Sequence, residues 1–187
     1  MTDEHLEIHA VDEARWPDLV RLMEGRGGPR HCWCLAWREP HAVRSELDLD
    51  GRRAAMEQRV RAGTPIGLLA YLDERPVGWC SIAPRESYLE RGLGGDEYPE
   101  DTEVWAIFCF FVHSSARRRG IQTGLLRAAV DHARSNGADV VEAYPVDADS
   151  SSYRHMGFRP NFLAAGFEEV GRVGSRRYVV RLPVASA

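Results

Sequence analysis

The sequence has no apolar run long enough to span a bilayer. Its most hydrophobic stretch, residues 104–112, falls well short of the roughly 20 residues a transmembrane helix needs, so no membrane partner is expected. It has little net charge: 24 basic against 28 acidic residues leave −4 at neutral pH. That balance implies no general affinity for polyanions, and no nucleic-acid partner is expected of it. Repeats, low-complexity tracts and a linker are all missing, so residues 1–187 read as a single domain, long enough to build a core without disulfide or metal staples. Residues 1–9 are polar and acidic and lack the basic and apolar regions of a secretory signal. The expected location is therefore cytoplasmic, and the four cysteines, Cys32, Cys34, Cys80 and Cys109, are expected to be reduced thiols.

What the sequence does have is a basic, glycine-containing turn between an apolar strand and an amphipathic helix. Residues 104–112 read Val-Trp-Ala-Ile-Phe-Cys-Phe-Phe-Val, suited to a strand buried on both faces. Arg117, Arg118, Arg119, Gly120, Ile121, Gln122, Thr123 and Gly124 follow closely. Ile121, Leu125, Ala128, Ala129 and His132 then recur at helical spacing, with Asn136-Gly137 as the stop. Unpaired N–H groups at a helix start, the positive end of its dipole and three arginines together suit a phosphate. The bland alternative is an exposed basic turn that merely caps a helix.

Elsewhere the pattern alternates. A first strand is expected at residues 6–11, then a helix capped by Asp12 with Trp16, Leu19, Val20 and Met23 on one stripe, then a second helix at 54–60. Strands at 65–72 and 77–83 form a hairpin, and residues 84–102 form a polar, turn-rich loop of the kind that often serves as a lid. Another strand is expected at 140–144, a short helix at 161–165, and a closing hairpin around Gly174-Ser175.

The turn resembles the pyrophosphate loop of the GNAT superfamily of N-acetyltransferases, with Arg117 and Gly120 at motif positions and Gln122 where the family carries Gly or Ala. The order of elements is similar too. The resemblance implies an α/β (α+β) GNAT acyl-CoA N-acyltransferase fold, a mixed central sheet of about seven strands flanked by helices. It implies acetyl-CoA as cosubstrate, held by the main chain of Phe110, Phe111 and Val112 and by Arg117 to Gly124. The segment from Phe162 to Phe167 resembles the family's closing motif, with Phe162 where a Tyr usually protonates the departing thiolate. Tyr153, four residues before Gly157-Phe158, is the alternative hydroxyl. The Cys32-Trp33-Cys34 segment and the strand Gly78 to Ser81 resemble a subset of the superfamily.

Acetyl transfer to an amine needs a base for the amine, polarisation of the thioester and a proton for sulfur. Glu103, at the mouth of the apolar strand, is the first candidate base and Glu142 the second, although alternation puts Glu103 on the face opposite Ala106 unless a bulge intervenes. Cys109 reads as core. His31, Cys32, Cys34 and His41 do not make a convincing zinc set, and C-x-C is not the redox spacing, so no metal is expected. Trp33 and Trp37 could line an acceptor pocket, and Asp96, Glu97, Glu100, Asp101 and Glu103 crowd one loop. Together they point to a small cationic amine. Three readings compete: an N-acetyltransferase working by direct transfer, a non-catalytic acyl-CoA binding or sensing module, and a plain interaction domain. A homodimer is left open.

Overall fold

The computed structural model describes residues 5–90, 93–94 and 98–184. Seven strands form one sheet in the order β1-β2-β3-β4-β5-β7-β6: β1 (Leu6–Ala10), β2 (Leu68–Leu72), β3 (Arg75–Pro84), β4 (Val104–Val112), β5 (Val140–Ala143), β6 (Glu168–Val173) and β7 (Arg177–Pro183). Only β4 and β5 run parallel; every other pair is antiparallel. The β2–β3 hairpin closes on Asp73 and Glu74, both at positive φ, which matches the turn to the twist of the strands.

Among the described residues five α-helices cover the sheet: α1 (Trp16–Glu24), α2 (His41–Glu46), α3 (Leu49–Arg61), α4 (Ile121–Ser135) and α5 (Arg159–Ala164). On one face α4 buries Ile121, Leu125, Leu126, Ala129, Val130 and Ala133 against β2, β3 and β4, with Phe162 of α5 in the same cluster. Each such large side chain stabilises by about 1.5–3 kcal/mol. On the other face Leu19, Leu22, Met23, Met56 and Val60 of α1 and α3 pack with Trp33, Cys34, Leu69 and Trp79.

Two expectations change. Three helices, not two, lie between β1 and β2. The second expected helix begins earlier, at Leu49, where the Asp48 carboxylate accepts the Gly51 N–H at 2.8 Å as its cap. Asp12 does not cap α1; it accepts the Arg15 N–H at 2.8 Å one turn ahead of the helix.

β4 carries a bulge. Ser81 pairs with Cys109 and Ile82 with Ile107, so Phe108 is extra. Ile107 and Phe110, three residues apart, therefore both pack with α4, whereas Phe108 and Cys109 turn to the opposite side. The bulge lies beyond residues 103–106, so alternation holds there and Glu103 stays on the face opposite Ala106.

Candidate active site

The site forms where two strands part. β4 pairs with β5 only from Val104↔Val140 to Ile107↔Ala143, so past Ile107 one edge of β4 has no strand partner among the described residues. The chain leaving β5 instead meets the segment before α5: Val146 donates its N–H to the Gly157 carbonyl at 3.1 Å, and its own carbonyl accepts the Arg159 N–H at 2.8 Å. Between these diverging segments lies a cavity of about 420 Å³, lined by Phe110, Phe111, Val112, Arg117, Gln122, Arg154, His155 and Phe158.

One end of that cavity is the start of α4. Arg118 and Gly120 take left-handed backbone conformations, with φ of 61° and 74°, and no side chain caps the helix. Its first N–H groups therefore face outward at the positive end of the dipole. Arg117 folds back so that its Nε donates to the Val112 carbonyl at 3.2 Å, fixing its guanidinium between strand end and turn. Arg119 and Thr123 are exposed, whereas the Ile121 side chain is buried in the core, leaving only its main chain to meet a ligand. Gly124 departs from its expected role. Its N–H bonds the Gly120 carbonyl at 2.9 Å, and a Cβ there would lie 3.0 Å from Leu6 of β1, so it serves helix packing.

Beyond the bulge, on the face opposite α4, Tyr88, Phe108, Tyr144, Met156 and Val179 pack together with Trp37 against them. Burial pushes the Tyr88 hydroxyl up to about 12. The Arg177 guanidinium lies 4.9 Å from the Trp37 ring centre and 5.3 Å from that of Tyr153. A second cavity, of about 780 Å³, opens beside it and is lined by Ser152, Tyr153, His155, Val173, Gly174, Ser175, Arg176 and Arg177.

The candidate catalytic residues fare unequally. Glu103 is exposed ahead of β4, and its carbonyl accepts the Asp139 and Val140 N–H groups. At about 3.3 Å per residue it sits on the order of 15 Å from the parting point, on the wrong face, so it cannot be the base. Glu142 lies beside Ala106 on the face opposite α4 but is fully buried. Arg85 donates to its Oε1 at 3.3 Å, and Tyr98 and Arg181 to its Oε2 at 2.5 and 2.8 Å; Tyr144 also donates to Oε1. Both oxygens are occupied, which makes it a structural hub. Tyr153 lines the second cavity and not the first. Phe162 is 1% exposed, with its ring edge-on to Phe110 and Phe167.

The aromatic segment splits. Trp33 is buried beside Trp16 in the α1–α3 layer, and Cys34 accepts the Trp79 indole N–H at 3.2 Å, so neither roofs an acceptor. Of the two, only Trp37 reaches the cluster of Tyr88, Phe108 and Tyr144, 5.5 Å from Phe108. Cys109 is core, as its surroundings in the strand suggest. Hydrogen bonding to Cys34 and burial push the Cys32 thiol up, and all four cysteines are free. Asp96 and Glu97 lie outside the described residues. Sequence reasoning missed His155, whose only signal was its place in the string Tyr153 to Phe158; nothing local says that the turn returns to β4.

Residues 29–158 match the sequence model of the acetyltransferase (GNAT) family. Solved structures with the same fold include an aminoglycoside N-acetyltransferase in complex with CoA (20% identity, TM-score 0.59, 91% of this chain and 92% of that one). A GNAT-family acetyltransferase from Streptococcus pneumoniae is 14% identical, with a TM-score of 0.57 over 97% of this chain and 100% of that one. The ribosomal-protein-S18-alanine N-acetyltransferase from Escherichia coli is 10% identical, with a TM-score of 0.54 over 98% and 96%. At these identities the likeness is one of fold. No curated protein matches the chain at a significant level. Among the described residues no helix is long and apolar enough to cross a membrane.

Proposed function

Because the chain belongs to the acetyltransferase (GNAT) family, we propose that it moves the acetyl group of acetyl-CoA directly to the amine of a small acceptor. The observation that carries this reading is the parting of β4 from β5 beside the uncapped start of α4. A pantetheine arm has amide groups along its length, and the free edge of β4 at Phe110, Phe111 and Val112 offers main-chain partners for them. A pyrophosphate needs donors without the cost of ordering side chains, which the turn from Arg117 to Thr123 supplies. Arg118 and Arg119 add charge from outside, and Gln122, reaching toward Gly157, takes the side of the cavity where a smaller residue would leave it open.

Direct transfer brings acceptor and thioester together at the bulge, so that one enzyme-bound geometry replaces a bimolecular encounter. The acceptor then occupies the aromatic side, around Trp37, Phe108, Tyr144 and Tyr153. Tyr153 belongs to that wall, which suits an orienting hydroxyl better than a donor to sulfur.

For the acceptor's charge, the acidic loop favours a cationic amine, although Glu100, Asp101 and Glu103 are exposed near the far end of β4. A second reading, an amine that also carries an anionic group, is favoured by Arg176 and Arg177 in the wall of the larger cavity. Competition between spermidine and aspartate as acceptors, followed across ionic strength, separates the two.

The test of the main reading has two steps. Coenzyme A at a hundred times its dissociation constant should stabilise the fold by about 2.7 kcal/mol. Thiol release from acetyl-CoA with an amine panel then distinguishes an enzyme from a non-catalytic acyl-CoA binding module. Absence of any thermal shift would remove both and leave an interaction domain.

A further inference from the structure

The cavity beside β4 and the cavity beside β7 flank the turn at residues 153–156, and among the described residues His155 lines both. We propose that His155 is a catalytic residue, a proton shuttle that takes the proton lost by the acceptor amine and returns it to the coenzyme A sulfur. The inference rests on the acetyl-CoA reading above and adds the group that handles the proton.

The other candidates are removed by their positions. Phe162 has no exchangeable proton and is sealed in the core. Tyr153 faces only the acceptor side. Glu142 has both oxygens engaged, and Glu103 lies at the far end of β4. An imidazole, by contrast, can both accept and donate a proton near neutral pH.

The step balances as follows. A neutral amine attacks the thioester carbonyl carbon, forming a C–N bond. The C–S bond breaks with its electron pair going to sulfur. The proton from the acylated nitrogen passes to the His155 imidazole, and the imidazolium gives it to the thiolate. Amide and free thiol leave, and the imidazole returns to its starting state.

The surroundings suit both halves. His155 is exposed where the two cavities meet, and partial desolvation, then the Arg177 charge, hold its imidazole below the usual histidine range, so it is neutral at pH 7 and able to accept a proton. The charged and titratable groups facing it are Arg177 and Arg176 from the β6–β7 hairpin, Arg154 and Tyr153 from its own turn, and Arg117 across the cofactor cavity. No carboxylate is among the described residues lining either cavity, so nothing there traps the proton on the imidazolium.

The decisive experiment has a kinetic and a spectroscopic arm. With acetyl-CoA and the best acceptor from a panel of spermidine, kanamycin, aspartate and an alanine-starting tripeptide, His155→Gln should lower kcat about 10²- to 10⁴-fold. The KM for acetyl-CoA should change less than threefold, and the acid limb of the pH profile should vanish. His155→Asn replaces it if the Gln protein melts early. In the parent protein at pH 7, the His155 ring resonances should shift on adding coenzyme A and shift less on adding desulfo-coenzyme A, because only the first places a thiol within hydrogen-bond reach of the imidazole. A His155→Gln enzyme that keeps its kcat and its acid limb, or a ring that shifts identically with the two ligands, overturns the shuttle. If neither ligand binds the parent, the cofactor reading has failed with it, and the shuttle is overturned on that separate ground.

Discussion

Gly120 sits at φ +74° with nothing within 4 Å of where a Cβ would be, so the position constrains backbone and not space. Gly120→Ala should therefore cost about 1–2 kcal/mol of stability through left-handed strain and leave coenzyme A binding largely intact. Gly120→Glu carries the same strain but sets a carboxylate among donors meant for phosphate, so calorimetry should show binding lost while the melting curve matches that of Gly120→Ala. His132 makes a different kind of statement. It lies edge-on to Trp105, ring centres 5.4 Å apart, and burial lowers its pKa. The unfolded chain then binds the proton more readily, so the stability His132 contributes is fully present above the unfolded value of about 6.5 and is lost as pH falls below it toward the folded value. Melting temperatures at pH 7.5 and 5.5 should differ more for the parent than for His132→Gln, although His155 keeps part of the acid sensitivity in both.

An element succeeds here when its local pattern and its neighbours agree. α4 has a continuous buried stripe and was readable from the sequence to within a residue, whereas α3 buries only Met56 and Val60 and was recognised only in its second half. A helix held by two buried side chains has no strong period to detect; the signal that could have found its start was Asp48, placed to cap it. Gly124 tests what α4 asks of its first turn. Gly124→Ala should be near neutral, since the gain in helix propensity offsets a contact at 3.0 Å with the end of the Leu6 side chain. Gly124→Phe should push β1 away and cost about 1–3 kcal/mol. Both should change coenzyme A affinity less than twofold in calorimetry, because the N–H of residue 124 is already used within the helix.

Across the whole molecule the buried Glu142 ties Arg85 and Tyr98 to the β5–β7 pair, in which Arg181 is its cross-strand partner. Arg85 and Tyr98 reach it from the segment at 84–102, Tyr144 from the end of β5 and Arg181 from β7. The Tyr98 ring also lies 4.1 Å beneath the Arg181 guanidinium. Removing the charge takes the carboxylate from beside two partly buried cations, so Glu142→Gln should cost about 3–5 kcal/mol, which for a chain of this size lowers the melting temperature by on the order of 10 °C. Assayed well below that temperature, thiol release should persist. A fully folded Glu142→Gln protein with no activity would instead restore Glu142 as the base.

The sequence by itself determined the strand at Val104–Val112, the turn with its left-handed Gly120, the helix that follows and hence the family. Each of these is a local requirement: an apolar run, a glycine at positive φ and a stripe at helical spacing act over a few residues. It also carried the seven-stranded mixed sheet, through the resemblance of its order of elements to that of the GNAT fold. Which side chains meet the cleft was decided only in three dimensions. Alternation along β4, undisturbed ahead of the bulge at Phe108, leaves Glu103 on the face opposite Ala106. Trp33 and Trp37, four residues apart, go to separate clusters because the chain turns through the left-handed Trp33 and Cys34. His155 reaches the cavity beside β4 only because β4 parts from β5 and residues 154–158 return into the gap. Those pairings join residues tens of positions apart, and their register is fixed by the packing of the whole sheet, which no local pattern of residues encodes.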